Sequence, residues 1–175
     1  MRLAIILGFA SALAGAAGCA AATAEDPLTI GLAIPRDVAE TQLHAHQYCR
    51  TSIEPPAAQE VYPRCDRPGT EWGDSWVVAR YVKDQLVELR RWERYADDNH
   101  AVERWNQLVS ARSHDGTELT TDLRQLGLLE PGTRAVKAYQ LDAHTVAAVY
   151  LLQPSPPENA NVLEKVSMLP AAPTR

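Results

Sequence analysis

Three cysteines, five histidines and one Gly-Asp-Ser block are the residues of this 175-residue chain whose types could carry chemistry. Thiols pair in an oxidising compartment and bind metal in a reducing one, so the destination of the chain decides their use. Cys49 and Cys65 enclose fifteen residues, Arg50 to Arg64, which hold Pro55, Pro56 and Pro63 and lack helical periodicity. A cross-link over such a loop stabilises by about 3 kcal/mol in the chain-entropy account. A Cys49–Cys65 disulfide is the expectation. His44 and His46 bracket Ala45. On a helix, residues two apart point to different faces, so the two rings do not converge on one metal. His46 and Cys49 have a workable spacing, but Cys49 is better used on Cys65. His100, His114 and His144 show no ligand spacing. The expectation is no metal and no cofactor.

Gly73-Asp74-Ser75, with Asp142 and His144 downstream, resembles the nucleophile block of GDSL-type hydrolases. That family places its Ser just after a buried strand of a parallel α/β fold and spaces its acid and base as Asp-x-x-His. Here the block follows a Pro-rich loop and precedes antiparallel strands, and the later pair reads Asp142-Ala143-His144. A turn with Ser75 leading into a strand is the preferred reading.

Trp72, Trp76, Trp92 and Trp105, with Arg80, Arg90, Arg91, Arg94 and Arg104, form the most suggestive set. Trp and Arg carry interface hot spots, and they also stack on each other on ordinary sheets. Arg is this chain's main cation, with fourteen Arg against three Lys, and structural use is weighed ahead of binding. The candidate interaction surface is Trp72, Trp76, Arg80 and Arg90.

Residues 1–24 read as an export leader. Arg2 supplies the positive charge, Leu3 to Leu13 the apolar core, and no acid precedes Glu25. Ala22-Thr23-Ala24 is a site for ordinary signal peptidase. Ala16-Ala17-Gly18-Cys19 resembles the lipobox of bacterial lipoproteins, with Ala16 where Leu is usual. In that family the Cys is lipidated and becomes the first mature residue. Both routes leave Cys49 and Cys65 as an even pair. Lipidation at Cys19 is preferred, and with Ala20 next to it the resemblance implies the outer membrane.

The formal net charge is −5. From residue 19 onward, 16 basic residues face 22 acidic ones. That balance argues against phosphate-dominated nucleic-acid binding and offers no basic membrane patch.

These residues need a frame. Leu28, Ile30, Leu32 and Ile34 alternate as a short strand or extended lead-in. Pro35 opens a helix through about Cys49. Residues 50–75 form the tethered loop. Trp76 to Val82 and Leu86 to Tyr95 form a hairpin about Lys83-Asp84-Gln85, with a bulge expected near Arg90-Arg91. A helix starts at Asp97 or Asp98, shows Ala101, Val102, Trp105, Leu108 and Val109 on one face, and stops at Asp115-Gly116. Thr121 to Leu126 suggests one short helical turn. Thr133–Leu141 and Thr145–Leu152 form a second hairpin, its last strand apolar on both faces. Five Pro in residues 153–175 predict a loosely ordered tail.

The expected fold is therefore α+β: about four antiparallel strands in two hairpins with two helices, in the order α-β-β-α-β-β. The expected boundaries are 1–24 for leader and linker, 27–153 for one domain and 154–175 for a Pro-rich tail. The Cys19 leader and this element order are similar to small outer-membrane assembly lipoproteins of the SmpA/OmlA type, which have a lipid anchor, helices and a short antiparallel sheet. The functional expectation is an exported, non-enzymatic, lipid-anchored module of the periplasm or outer membrane. Its partner is another envelope protein, it touches the membrane through Cys19 alone, and it binds no nucleic acid. The alternatives are a small inhibitor or immunity protein against a secreted enzyme, and a serine hydrolase using Ser75.

Overall fold

The computed structural model describes residues 26–50, 57–66, 75–153 and 160–169. The expected leader with Cys19, and Trp72, lie outside these residues. A 3-10 turn, Pro27–Thr29, leads to helix α1 (Arg36–Ala45). Strands β1 (Gln59–Pro63), β2 (Ser75–Val82) and β3 (Gln85–Tyr95) precede helix α2 (Asp98–Asp115). Strands β4 (Thr117–Glu118), β5 (Thr133–Gln140), β6 (Thr145–Leu152) and β7 (Ala160–Met168) follow.

Among the described residues these strands make one antiparallel sheet of seven, ordered β1-β2-β3-β7-β6-β5-β4. The α+β class stands, but the four-strand sheet and its element order do not. The two expected hairpins are present and are not each other's neighbours. Strand β7 lies between them, pairing β3 on one side and β6 on the other. This strand falls inside the expected Pro-rich tail, so the domain does not end at residue 153. Strand β1 falls inside the expected loop and pairs β2 from Gln59↔Arg80 to Pro63↔Trp76. In place of the expected strand or extended lead-in, residues 27–29 form the 3-10 turn and residues 30–34 follow with bends at 30, 32 and 33, Ala33 at φ 60°.

The β2–β3 turn is two residues, Lys83 and Asp84, both at positive φ (51° and 62°). Such a turn matches the twist of its strands at the cost of two left-handed non-glycine residues. Asp84 is held there by Arg36, whose Nε donates to its Oδ1 at 2.7 Å. The bulge in this hairpin lies at Arg80/Tyr81, opposite Leu86 and Glu88, and not near Arg90-Arg91.

Helix α2 is capped by Asp97, whose Oδ1 accepts from the His100 backbone N–H at 3.0 Å. It ends at Gly116, whose backbone is extended and whose N–H donates to the Arg112 carbonyl; only glycine fits there, because a Cβ would lie 2.6 Å from the Gln140 carbonyl oxygen. Both helices pack on the same face of the sheet. Ala39 and Leu43 of α1 meet Val77, Ala79, Tyr81 and Leu89. Ala101 and Leu108 of α2 meet Val149, Leu151 and Val162. On the other face, the segment around Leu119, Leu123, Leu126 and Leu128 covers Val146, Ala148, Tyr150 and Leu163. A turn at 123–127 stands where a helical turn is expected, ending on Gly127 at φ 65°.

Candidate functional site

Strand alternation sets the first candidate. Val77, Ala79 and Tyr81 point to the helices, so Trp76, Val78 and Arg80 point to the opposite face. Trp92 and Arg90 of β3 are the register partners of Trp76 and Val78, and share that face. The Trp76 and Trp92 rings stack with centroids 5.9 Å apart and planes 2° apart. The Arg94 guanidinium stands over the Trp76 ring at 5.5 Å. All three side chains are half-buried. The fold thus brings together Trp76, Arg80 and Arg90, and adds Trp92 and Arg94. Trp105 belongs to α2, where its Nε1 donates to the Val149 carbonyl at 3.3 Å.

The arginines divide by partner. Arg90 Nε donates to Glu88 Oε1 at 2.7 Å, and its Nη1 lies 3.6 Å from Glu130 Oε2. Arg80 Nε lies 3.5 Å from Glu88 Oε1 with 42% of its side chain exposed. Beside them runs a groove of about 230 Å³ lined by Arg80, Glu88, Leu128, Val146, Lys165 and Ser167. Lys165 is 3% exposed, and its ammonium donates to Glu130 Oε1 at 2.6 Å. Arg90 and Lys165 therefore share Glu130, and Arg80 keeps the freer guanidinium.

Arg91 of β3 and Arg104 of α2 meet between sheet and helix, in an ionic cluster that the sequence does not announce. Arg91 Nη2 and Arg112 Nε donate to the two oxygens of Glu164, at 2.5 and 2.6 Å. Asp26 joins the same two arginines at 2.8 and 3.1 Å. Arg104 grips both oxygens of Glu93 at 2.8 and 2.9 Å. Burial works to raise the Glu93 pKa, but the Arg104 hydrogen bonds and the Arg91 charge outweigh it and hold it below the usual carboxylate range. Glu164 is 1% exposed and has a guanidinium on each oxygen, which is what a buried carboxylate requires.

The second candidate surrounds the disulfide. Cys49 and Cys65 are bonded, with Cα atoms 4.9 Å apart. A pocket of about 350 Å³ opens beside them, lined by Glu40, Thr41, His44, Tyr48, Arg50 and Cys49. Glu40 and His44 are one turn apart on α1 and face it together. A ring nitrogen of His44 and both sulfurs all lie within 4.8 Å of one another. Sequence spacing favoured His46 beside Cys49, whereas the fold puts His44 there. The signal it missed is long-range: α1 packs so that its last turn meets the turn after β1, where Cys65 lies.

Ser75, Asp142 and His144 are not brought together. Ser75 Oγ lies 2.8 Å from the Tyr48 hydroxyl. Through Glu93 and Val162, Ser75 shares a sheet row with Leu151. His144 precedes Thr145, six residues further along β6, roughly 20 Å at strand rise. Asp142 Oδ1 accepts from the His144 backbone N–H at 2.7 Å, within the β5–β6 turn.

Comparison with protein-family models, curated proteins and solved structures found no significant match to this chain.

Proposed function

We propose that this chain works outside the cytosol as a protein-interaction module of the bacterial envelope, anchored through lipid on Cys19, with its partner surface on the sheet face opposite the helices. The observation that carries this reading is the half-exposed Trp76–Trp92 stack under Arg94, with Arg80 four residues along β2 on the same face, beyond Val78. Stacked indoles present a rigid apolar surface at little entropic cost, and Arg80, further along the same face, supplies a guanidinium for a partner's carboxylate or carbonyl. The Cys49–Cys65 bond supports an oxidising compartment. The leader supports export, and the lipobox-like Ala16-Ala17-Gly18-Cys19 supports the anchor.

Two measurements test it. The intact mass of protein from native membranes reports lipid and the start residue together. An unlipidated form beginning at Glu25 removes the anchor from the proposal. Affinity capture from the same membranes, with wild type beside a Trp76→Ala/Arg80→Glu variant of unchanged circular dichroism, tests the surface. A specific partner lost in the variant is the expected result. A partner retained equally by the variant, or none from either, overturns the surface.

A further inference from the structure

We propose that His44, Cys49 and Cys65 form a redox-gated zinc site, closed while the two sulfurs are bonded to each other and open as a Cys₂His ligand set once a dithiol has reduced them. The three ligand atoms already stand within 4.8 Å of one another. Tetrahedral zinc asks for sulfurs at ~2.3 Å and nitrogen at ~2.0 Å from the metal, so ligand atoms sit between three and four ångströms apart. His44 is exposed at the end of α1 and has the rotamer freedom to close that gap.

The backbone keeps the cysteines adjacent without their covalent bond. The Cys49 N–H donates to the Pro63 carbonyl at 2.9 Å, and the Cys65 N–H to the Gln47 carbonyl at 2.9 Å. Between them Tyr48 and Arg64 form an antiparallel bridge. Breaking the disulfide therefore leaves two thiols side by side on a paired backbone. The pocket beside Cys49 gives a metal its entry path and leaves room for a fourth ligand, with Glu40 one turn before His44 facing the same space. Two thiols, one imidazole and an open position suit zinc by softness and number.

The chemistry balances in two steps. A dithiol gives two electrons and two protons to the Cys49–Cys65 bond and leaves as its own disulfide. Zinc then displaces two protons from the Cys49 and Cys65 thiols and takes the unprotonated ring nitrogen of His44. The inference is independent of the interaction surface, which lies on the other face of the sheet.

Cobalt(II) is the probe, because tetrahedral thiolate ligation gives it intense visible bands and a near-ultraviolet charge-transfer band. The full chain carrying Cys19→Ser, so that the pair alone supplies thiols, is titrated after phosphine reduction and again while oxidised. One Co²⁺ per reduced chain with tetrahedral bands, none per oxidised chain, and displacement by Zn²⁺ are expected. His44→Ala should weaken binding by at least the ~10-fold that loss of an outer-shell partner costs, and His46→Ala should not. No stoichiometric binding by the reduced chain, folded or unfolded by circular dichroism, overturns the proposal. So does equal affinity and an unchanged spectrum in His44→Ala.

Discussion

Arg112 Nε donates to Glu164 Oε1 at 2.6 Å, and this bond ties the last turn of the longer helix to the central strand of the sheet. The pair is buried, with 8% and 1% of the two side chains exposed. Removing Arg112 leaves Glu164 Oε1 without its donor in a buried site, while Arg91 still holds Oε2. Arg112→Met should therefore cost about 1–3 kcal/mol of unfolding free energy. Asp115→Ala removes an Arg112 partner that is half exposed, and should cost about 0–1 kcal/mol. Urea unfolding of both variants checks the contrast, and equal midpoints would remove the special standing of Glu164.

Glu93 predicts an acid limb to the stability curve. Its carboxyl titrates below the ordinary 4.5 in the folded chain, because Arg104 and Arg91 outweigh the effect of burial. A depressed folded-state value means the contribution is complete above the unfolded value and is lost as pH falls through the folded one. Unfolding free energy should decline as pH drops below about 4.5, and Arg104→Gln should flatten that decline. Unfolding curves at stepped pH give both slopes, and identical slopes would show that Glu93 does not set them.

What was legible in the sequence follows from which interactions are local. Helix α2 announced itself through Asp97, its apolar stripe and Gly116. The β2–β3 hairpin did so through β-branched residues around Lys83-Asp84. Strand β7 was hidden because Glu164 and Lys165 sit at its centre, next to a Pro-rich stretch. Each charge is buried on its own face against a distant partner: Arg91 and Arg112 for one, Glu130 for the other. Those partners lie 35 to 73 residues away, beyond any periodicity window. The same argument covers His44 and Cys65, which meet only when β1 and α1 have packed. The Trp76–Trp92 pair was visible as two residues, and its stacking required the register.

The Cys49–Cys65 bond closes a loop of separation 16. In the chain-entropy account, its reduction should lower unfolding free energy by about 3 kcal/mol. The Cys49→Ser/Cys65→Ser double variant should match the reduced wild type in stability. Denaturant unfolding in metal-free buffer, with and without phosphine, makes the comparison. A reduced chain as stable as the oxidised one would show that the paired backbone around Tyr48 and Arg64 supplies the constraint by itself.

Tyr62 offers the last test, because its hydroxyl is buried and fully engaged. It donates to Glu60 Oε2 at 2.7 Å and lies 3.1 Å from the Tyr81 hydroxyl. Glu60 Oε1 meanwhile faces Arg36 Nη1 at 2.8 Å and Arg50 Nη2 at 3.3 Å, so each carboxylate oxygen has its own partner. Tyr62→Phe leaves Oε2 without its donor in a closed space, which should cost about 1–3 kcal/mol. Burial, reinforced by the Tyr81 and Glu60 hydrogen bonds, pushes the Tyr62 hydroxyl well above its ordinary pKa. Burial also raises Tyr81, Tyr95 and Tyr150. An ultraviolet titration of the folded chain should therefore ionise fewer than its six tyrosines before the alkaline unfolding step, and all six afterwards. Six ionising together near the ordinary value of about 10 would show that water reaches these hydroxyls and that the Glu60 cluster is not closed.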